Sequence, residues 1–441
     1  PEAGPVTADV DGWGQIDGLS AWDCTLTGFT AMGEVPEMHK EKFVKAVSIV
    51  LRRIQEAATE EELTRALKWW LILPQALLRQ AKRSGAKGQN AALITARFQA
   101  VTEGDWGKVL SLLANDKEQN KKRAEARRSR RQRGREEQED PERKREVVMS
   151  LVARGQVGRA AGRIKSNGVA SMDSAAVKNS LRAKFPEYPE RPLPDTATKG
   201  QLVDNLDGLR DSFLNLELGS APGAGGMRPE YLITLGREMG REDMERLQEH
   251  GLNTLNGTYP PWFHRAVGAV TTVPLFKTSQ QQNTALRPLG LASSMVRVLE
   301  RIQSRQNRPA LQAYLEPQQQ AMSMAGAHRL VHMVRMYMEM NPTHVCVKLD
   351  VTNAFPTMSR AAVLEVLESE PELRHMSWSF VTSMAAPTGL ESAGQKWGNT
   401  GDGLLQGKPS SSGYFCVGWQ PEVRQIDAEV SAEGGAARVF A

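Results

Sequence analysis

The chain has little of what normally staples a small protein together. Its 441 residues hold three cysteines (Cys24, Cys346 and Cys416), far apart, and seven histidines that form no Cys/His knuckle. That excludes a disulfide framework and a structural zinc, and it reads as a reducing, intracellular compartment. No stretch approaches the roughly 18 uncharged apolar residues that a membrane span needs, so no membrane partner is expected. An initiator Met and a signal-peptide pattern are also missing, which reads as a piece of a longer product. The length fits about two to three domains, with no internal repeat.

What charge there is lies unevenly. The net charge is +5, yet between Lys117 and Arg135 ten Lys/Arg face two Glu, a surplus of eight in one stretch. The block includes Lys121, Lys122, Arg123, Arg127, Arg128, Arg130, Arg131 and Arg133. It suits a polyanion, because each neutralised phosphate releases condensed counterions. A solvated helix face or a localisation signal is the plainer alternative.

Residues 1–36 are Gly/Pro-punctuated and read as an irregular leader. The region 37–115 is helical: Phe43, Val47, Val50, Leu51 and Ile54 recur at helical spacing up to about Ala57. Thr59 with Glu62 forms a capping box that opens a second helix through Trp69-Trp70, which Pro74 is expected to interrupt. Residues 116–146 are the basic arm. A helical pair, Val147–Lys165 and Ser174–Lys184, precedes the loop "FPEYPERPLPD", whose four prolines place a domain boundary near residue 198. From 199 to 441 helices alternate with strand candidates such as "VGAVTTVPLF" (267–276) and "THVCVKLD" (343–350). The fold class is α+β.

"HVCVKLD" reads as a buried strand with Asp350 at its C-terminal end. Ser359 then caps a helix with Ala362, Val363, Val366 and Leu367 on one face. A carboxylate at a strand end beside a tight turn suits Mg²⁺, which takes one or two carboxylates plus substrate phosphates. A turn-initiating Asp that caps its own backbone is the plainer reading. Fifty-six residues after Asp350 comes Gln406, in "GLLQGKPSSSGYF" (403–415). Gly407 lets backbone approach a ligand closely, and Gln406 offers both a donor and an acceptor. Phe415, Trp419 and Val423 repeat every four residues along the helix that follows. Trp69-Trp70 could stack bases, but packing is preferred within an amphipathic helix. Met295, Met333 and Met336 are expected in the core. His328 and His332 stand at i and i+4 with no third ligand nearby.

"LDVTNAF" followed by "LLQGKPSSSGYF" resembles motifs A and B of reverse transcriptases, particularly those of non-LTR retrotransposons. Other pieces follow in the family's order. "SAPGAGGMRPEYL" (220–232) is similar to its Gly-rich segment, and "VPLFK" with "LRPLGLASSMVRVLERI" (273–302) to its fingers. "EPQQQAMSMAGAHRLVHMVRMY" (316–337) is similar to the connection into its palm. The resemblance covers roughly 199–441. It implies right-hand polymerase fingers and a partial palm that transfer deoxynucleotides to a primer 3′-hydroxyl on an RNA template. Mg²⁺ (or Mn²⁺) would be the cofactor, and RNA template, DNA primer and deoxynucleoside triphosphates the partners. Asp350 would be the first metal-binding carboxylate. Phe355 would lie under the deoxyribose, Lys277 and Arg287 would hold the β/γ-phosphates, and Gln406 and Gly407 would pack against the nascent pair.

The family's next motif, an Asp-Asp pair, would be the two residues after Ala441, and its thumb lies beyond that. The 441 residues are therefore expected not to polymerise alone, since one carboxylate cannot hold two metals roughly 3.5–4 Å apart. Lys408 stands where the family is often acidic, and "GAH" (326–328) replaces a Gly-rich turn. The alternative is a non-catalytic nucleic-acid-binding remnant. An RNA polymerase is disfavoured by the aromatic Phe355. No protein partner is legible, and a nuclear site follows only from the resemblance and the basic run.

Overall fold

The computed structural model describes residues 11–25, 31–80, 87–115, 141–153, 155–172, 174–185, 202–277, 285–385, 388–392 and 395–438. The basic run 117–135, with all eight arm residues named above, and the Pro-rich loop lie outside them.

Helix α1 (Lys40–Gln55) buries Phe43, Val47, Val50, Leu51 and Ile54, as their spacing requires. Helix α2 (Glu60–Leu78) opens on the expected box: Thr59 Oγ1 accepts from Glu62 N at 3.2 Å, and Thr59 N donates to Glu62 Oε2 at 3.2 Å. Pro74 does not interrupt this helix, contrary to its sequence reading, and the chain stays helical through it to Leu78. Residues 69–78 are buried without a break, and packing on all sides outweighs the hydrogen bond that proline removes. Trp69 and Trp70 are core residues, as preferred. Trp69 Nε1 donates to Trp13 O at 3.1 Å. Trp13 stacks on Trp69 and meets Trp106 edge-on, with ring centroids 5.3 and 4.7 Å apart. The described part of the leader therefore contributes to the core, through Trp13, Ile16, Cys24 and Val35.

The boundary near residue 198 does not separate two cores. One apolar cluster runs from Trp13 through α1, α2 and α3 (Lys87–Glu103) into residues 206–302. Helices α7 (Pro229–Glu238) and α8 (Arg241–Leu255) lie against α1, and Tyr231 Oη donates to Met32 O at 2.6 Å. The reason is geometric: a helix apolar all round, such as the second half of α2, must be covered on more than one side. The expected helical pair before the boundary is three helices, α4 (Pro141–Ala153), α5 (Val157–Lys165) and α6 (Ala175–Arg182).

After α9 (Pro261–Gly268), strand β1 (Val270–Phe276) pairs antiparallel with β2 (Leu286–Leu291), from Thr271 opposite Leu291 to Phe276 opposite Leu286. Helix α10 (Ser294–Leu315) and helix α11 (Gly326–Met340) follow, then α12 (Arg360–Ser369) with Ser359 Oγ accepting from Ala362 N. Strands β3 (Thr388–Ser392) and β4 (Gln395–Thr400) complete a mixed sheet in the order β2-β1-β3-β4, with β1 and β3 parallel. Helix α13 (Ser411–Ala432) is the last described helix. The architecture is α+β.

Residues 343–350 are not the buried strand expected. They form no strand and belong to no sheet, and Val345, Leu349 and Val347 are 82, 78 and 73 % exposed. A strand is defined by its ladder, and no described strand lies beside this one. Met336 and Val331 on α11 are exposed as well, so the expectation of a core Met336 also fails. Tyr337 Oη, on α11, donates to Gly434 O at 2.8 Å and contacts His344 at 3.0 Å. The exposed segment, α11 and the chain just after α13 therefore share one side of the molecule.

Candidate functional site

The turn after Asp350 and the loop before α13 are bonded into one unit. Asn353 adopts the left-handed conformation (φ 54°) and starts a short turn of helix, Ala354–Thr357. Phe355 O accepts from Leu404 N at 2.7 Å. Asp402 Oδ1 accepts from Arg360 N at 2.7 Å and Gly403 N at 3.0 Å, and Arg360 Nε donates to Gly403 O at 2.8 Å. Burial pushes the Arg360 guanidinium down to about 10, with Asp402 opposing the shift. Gly403 is required here: at φ +77° a Cβ would sit 2.1 Å from Pro356 O. Below this turn Phe355 stacks on Phe415 at 5.0 Å, and Phe415 meets Trp419 at 5.6 Å, which accounts for the four-residue repeat on α13.

The same loop is seated on the hairpin. Gly290 N donates to Gln406 O at 2.7 Å, and at φ +106° a Cβ on Gly407 would lie 2.4 Å from Gly290 O. Gly407 thus serves the close approach of two backbones. Gln406 is half-buried and Gly407 exposed. On the hairpin, Leu275 opposes Arg287, and Lys277 N continues the ladder to Ala285 O at 2.8 Å. Lys277 and Arg287 therefore stand on one face as diagonal neighbours, typically about 7–8 Å apart, and both are exposed.

Lys408, singled out only as a departure from a familiar pattern, turns out to be an anchor. Its ammonium lies 3.1 Å from Glu300, with the two side chains 1 and 3 % exposed. Ser410 Oγ donates to Glu300 Oε2 at 3.1 Å, and Lys408 Nζ donates to Ser383 O at 3.3 Å. Sequence reading missed Glu300. Its signal was a carboxylate falling on the apolar face of α10, beside Val298, Leu299 and Ile302.

Phe355, Gln406, Gly407 and the Lys277–Arg287 hairpin are thus brought into one hydrogen-bonded assembly. Asp350 is joined to it only through the chain. It is exposed, and among the described residues it has no ion pair or side-chain hydrogen bond. No group of three or more His, Cys, Asp and Glu able to hold a metal exists among the described residues, and His328 and His332 belong to none. Asp350 belongs to no such group either. Searches of protein-family models and of curated proteins returned no match for the chain.

Proposed function

We propose that this chain is the fingers and part of the palm of a reverse transcriptase of the non-LTR retrotransposon type, which copies RNA into DNA. The observation that carries the reading is the union of two distant segments. "LDVTNAF" and "LLQGKPSSSGYF" meet through Phe355–Leu404, and the second is bonded to the hairpin bearing Lys277 and Arg287.

In this reading the primer 3′-oxygen attacks the α-phosphorus of a deoxynucleoside triphosphate and pyrophosphate leaves. Lys277 and Arg287 offset charge on the β- and γ-phosphates, where fixed cations stabilise the transferring group. Phe355, held from below by Phe415, is a rigid floor that leaves no room for a 2′-hydroxyl. Gln406 and Gly407 border the nascent base pair. Mg²⁺ would neutralise the developing phosphoryl charge when bound. Asp350 would be the side chain to hold it. The exposed residues 343–351 would be one strand of the palm sheet, with Val345, Val347 and Leu349 as its face toward α11. No helix among the described residues is long and apolar enough to cross a membrane.

Primer extension on an RNA template, by the protein at its full natural length, tests the reading. Deoxynucleotides should be added and ribonucleotides refused, and Phe355→Val should admit ribonucleotides. Equal use of both by the parent would end the role given to Phe355. The isolation of Asp350 favours a second reading, a nucleic-acid-binding remnant without chemistry. It predicts binding of an RNA–DNA duplex with no extension in any form of the chain.

A further inference from the structure

Two helices of this protein answer their arginines within the helix. On α8, Arg241 meets Glu245 at 2.8 Å, and Arg246 meets Glu242 and, at 2.9 Å, Asp243; on α2, Arg65 meets Glu61. Helix α10 departs from that pattern. Arg297, Arg301, Arg305 and Arg308 follow one another at intervals of four, four and three residues. At 3.6 residues per turn they fall within an arc of about 80° and extend over roughly 16 Å of helix. Each is the like-charged neighbour of the next, an arrangement that opposes the helix instead of supporting it. Burial and the Arg301 charge hold the Arg297 guanidinium below its usual value, as that spacing requires.

No ion pair among the described residues neutralises the stripe. Glu300 stands next to Arg301 in sequence but turns inward to Lys408, with its side chain 3 % exposed. On the short helix Leu209–Leu214, Ser212 Oγ accepts from Arg305 Nη2 at 2.8 Å, while the adjoining Asp211 makes no ion pair with it. Arg297 donates to Ala221 O and Ser294 Oγ, and Arg308 to Met322 O at 2.9 Å. Neutral oxygens thus hold three of these side chains and leave their charge uncancelled. Arg301, Arg305 and Arg308 are exposed, and Arg297 is half-buried. The residues that share this face, Ser294, Ser304 and Gln312, are polar. A peptide or a membrane surface needs apolar anchors beside the cations, whereas a phosphate backbone asks only for donors and charge. At roughly 3.4 Å of axis each, about five phosphates of one strand fit along the stripe. The helix also ties the stripe to the candidate site. Ser294 N donates to Pro222 O at 3.1 Å in the Gly-rich segment, and Glu300 holds Lys408 and Ser410 on the loop of Gln406 and Gly407.

We propose that the face of α10 bearing Arg297, Arg301, Arg305 and Arg308 docks the phosphate backbone of a nucleic-acid strand. The surface supplies charge and position and reads no sequence. The choice of RNA as that strand rests on the reverse transcriptase reading, in which the stripe is the track of the template beside the site.

The test is fluorescence anisotropy of a labelled single-stranded RNA, titrated with the protein at its full natural length over a series of salt concentrations. Arg301→Gln, Arg305→Gln and Arg308→Gln combined should weaken binding roughly tenfold or more. They should also flatten the slope of log affinity against log salt by about 2, at about 0.7 per phosphate contact. Arg301→Gln alone should flatten it by about 0.7, and Arg301→Lys should keep the parent slope. Arg241→Gln, at an exposed but ion-paired position on α8, should change neither quantity. Arg301→Gln breaks no described hydrogen bond and relieves two like-charge pairs, so its thermal midpoint should be no lower than the parent's. A triple variant with the parent's affinity and slope makes the face a solvated one and overturns the proposal. So does a parent that does not bind RNA, whether or not phosphatidylserine vesicles or polyglutamate bind through these arginines. The polymerase reading fails separately. RNA binding through the stripe without primer extension leaves the surface standing, and extension with a slope the triple variant does not change leaves the reading standing.

Discussion

Residues 402–411 and residues 343–351 carry the two halves of one proposed site, and the fold treats them in opposite ways. The first is sunk into the protein, tied by Asp402 to Arg360, by Leu404 to Phe355, by Gln406 to Gly290 and by Lys408 to Glu300. The second keeps Val345, Val347 and Leu349 in solvent, with no ladder on either edge among the described residues. Asp402 and Lys408 are buried against partners that meet their charge, and apolar groups are exposed where no described strand lies alongside. A polar loop can be the rigid part of a site and an apolar strand the unfinished part. Hydropathy alone ranks them the wrong way round.

The comparison breaks most sharply at the buried ion pair. Glu300→Gln or Lys408→Met leaves one charge buried without its partner, which typically costs about 3–5 kcal/mol. Urea or thermal unfolding should show a loss of that order for each single variant. The double variant Glu300→Gln/Lys408→Met should recover part of it. If either single variant is neutral, the loop is not held by charge.

Next come the glycines of the same loop. Gly403→Ala places a Cβ 2.1 Å from Pro356 O at a positive φ, which should cost about 1–3 kcal/mol in backbone strain alone. It should also loosen the Phe355 turn, seen as faster amide exchange at Leu404, whose N–H bonds Phe355 O.

Acid offers a third test on a different part of the core. Burial pushes His250 down to about 3, with the nearby His264 adding to the shift, and burial pushes His264 itself down to about 4. Both folded values lie below the ordinary 6.5, so the unfolded chain takes up protons first. Their contribution to stability is complete above about pH 6.5 and is lost as pH falls toward 4. The urea midpoint should drop across that window, and His264→Phe should flatten the drop. A midpoint unchanged between pH 7 and 4.5 would show these rings to be solvated.

The smallest effect belongs to the exposed segment. Val347→Thr or Leu349→Thr should change stability by no more than about 0.5 kcal/mol, since neither buries apolar area. Both should reduce self-association, because an open apolar edge is a template for pairing with other chains. A loss of 2 kcal/mol at Leu349 would mean that the segment is packed.

How far the sequence could be read follows the same division. Local chemistry was legible: the Thr59–Glu62 box, the Ser359 cap and the Phe415–Trp419 stripe all depend on neighbours within four residues. What depended on distant partners was not. Pro74 stays helical because buried residues surround it, and Trp13 is a core residue because Trp69 and Trp106 wait for it. Strands β3 and β4, short and interrupted by glycine, carried no clear alternation. The Lys408–Glu300 pair joins residues more than a hundred positions apart. "HVCVKLD" has every local mark of a strand, and only the missing neighbour distinguishes it from one. In the candidate site, Phe355, Gln406 and Gly407 were found from a resemblance and stand together, as does the Lys277–Arg287 hairpin, whereas Asp350 is linked to them by chain alone.

The most direct measurement concerns that aspartate. The protein at its full natural length should extend a DNA primer on an RNA template with Mg²⁺ present. Asp350→Ala should abolish extension while leaving duplex affinity and thermal midpoint unchanged, because the side chain is exposed and unpaired in the described structure. Extension that survives Asp350→Ala would contradict the assignment of this site, and no extension by the parent chain would contradict the polymerase reading itself.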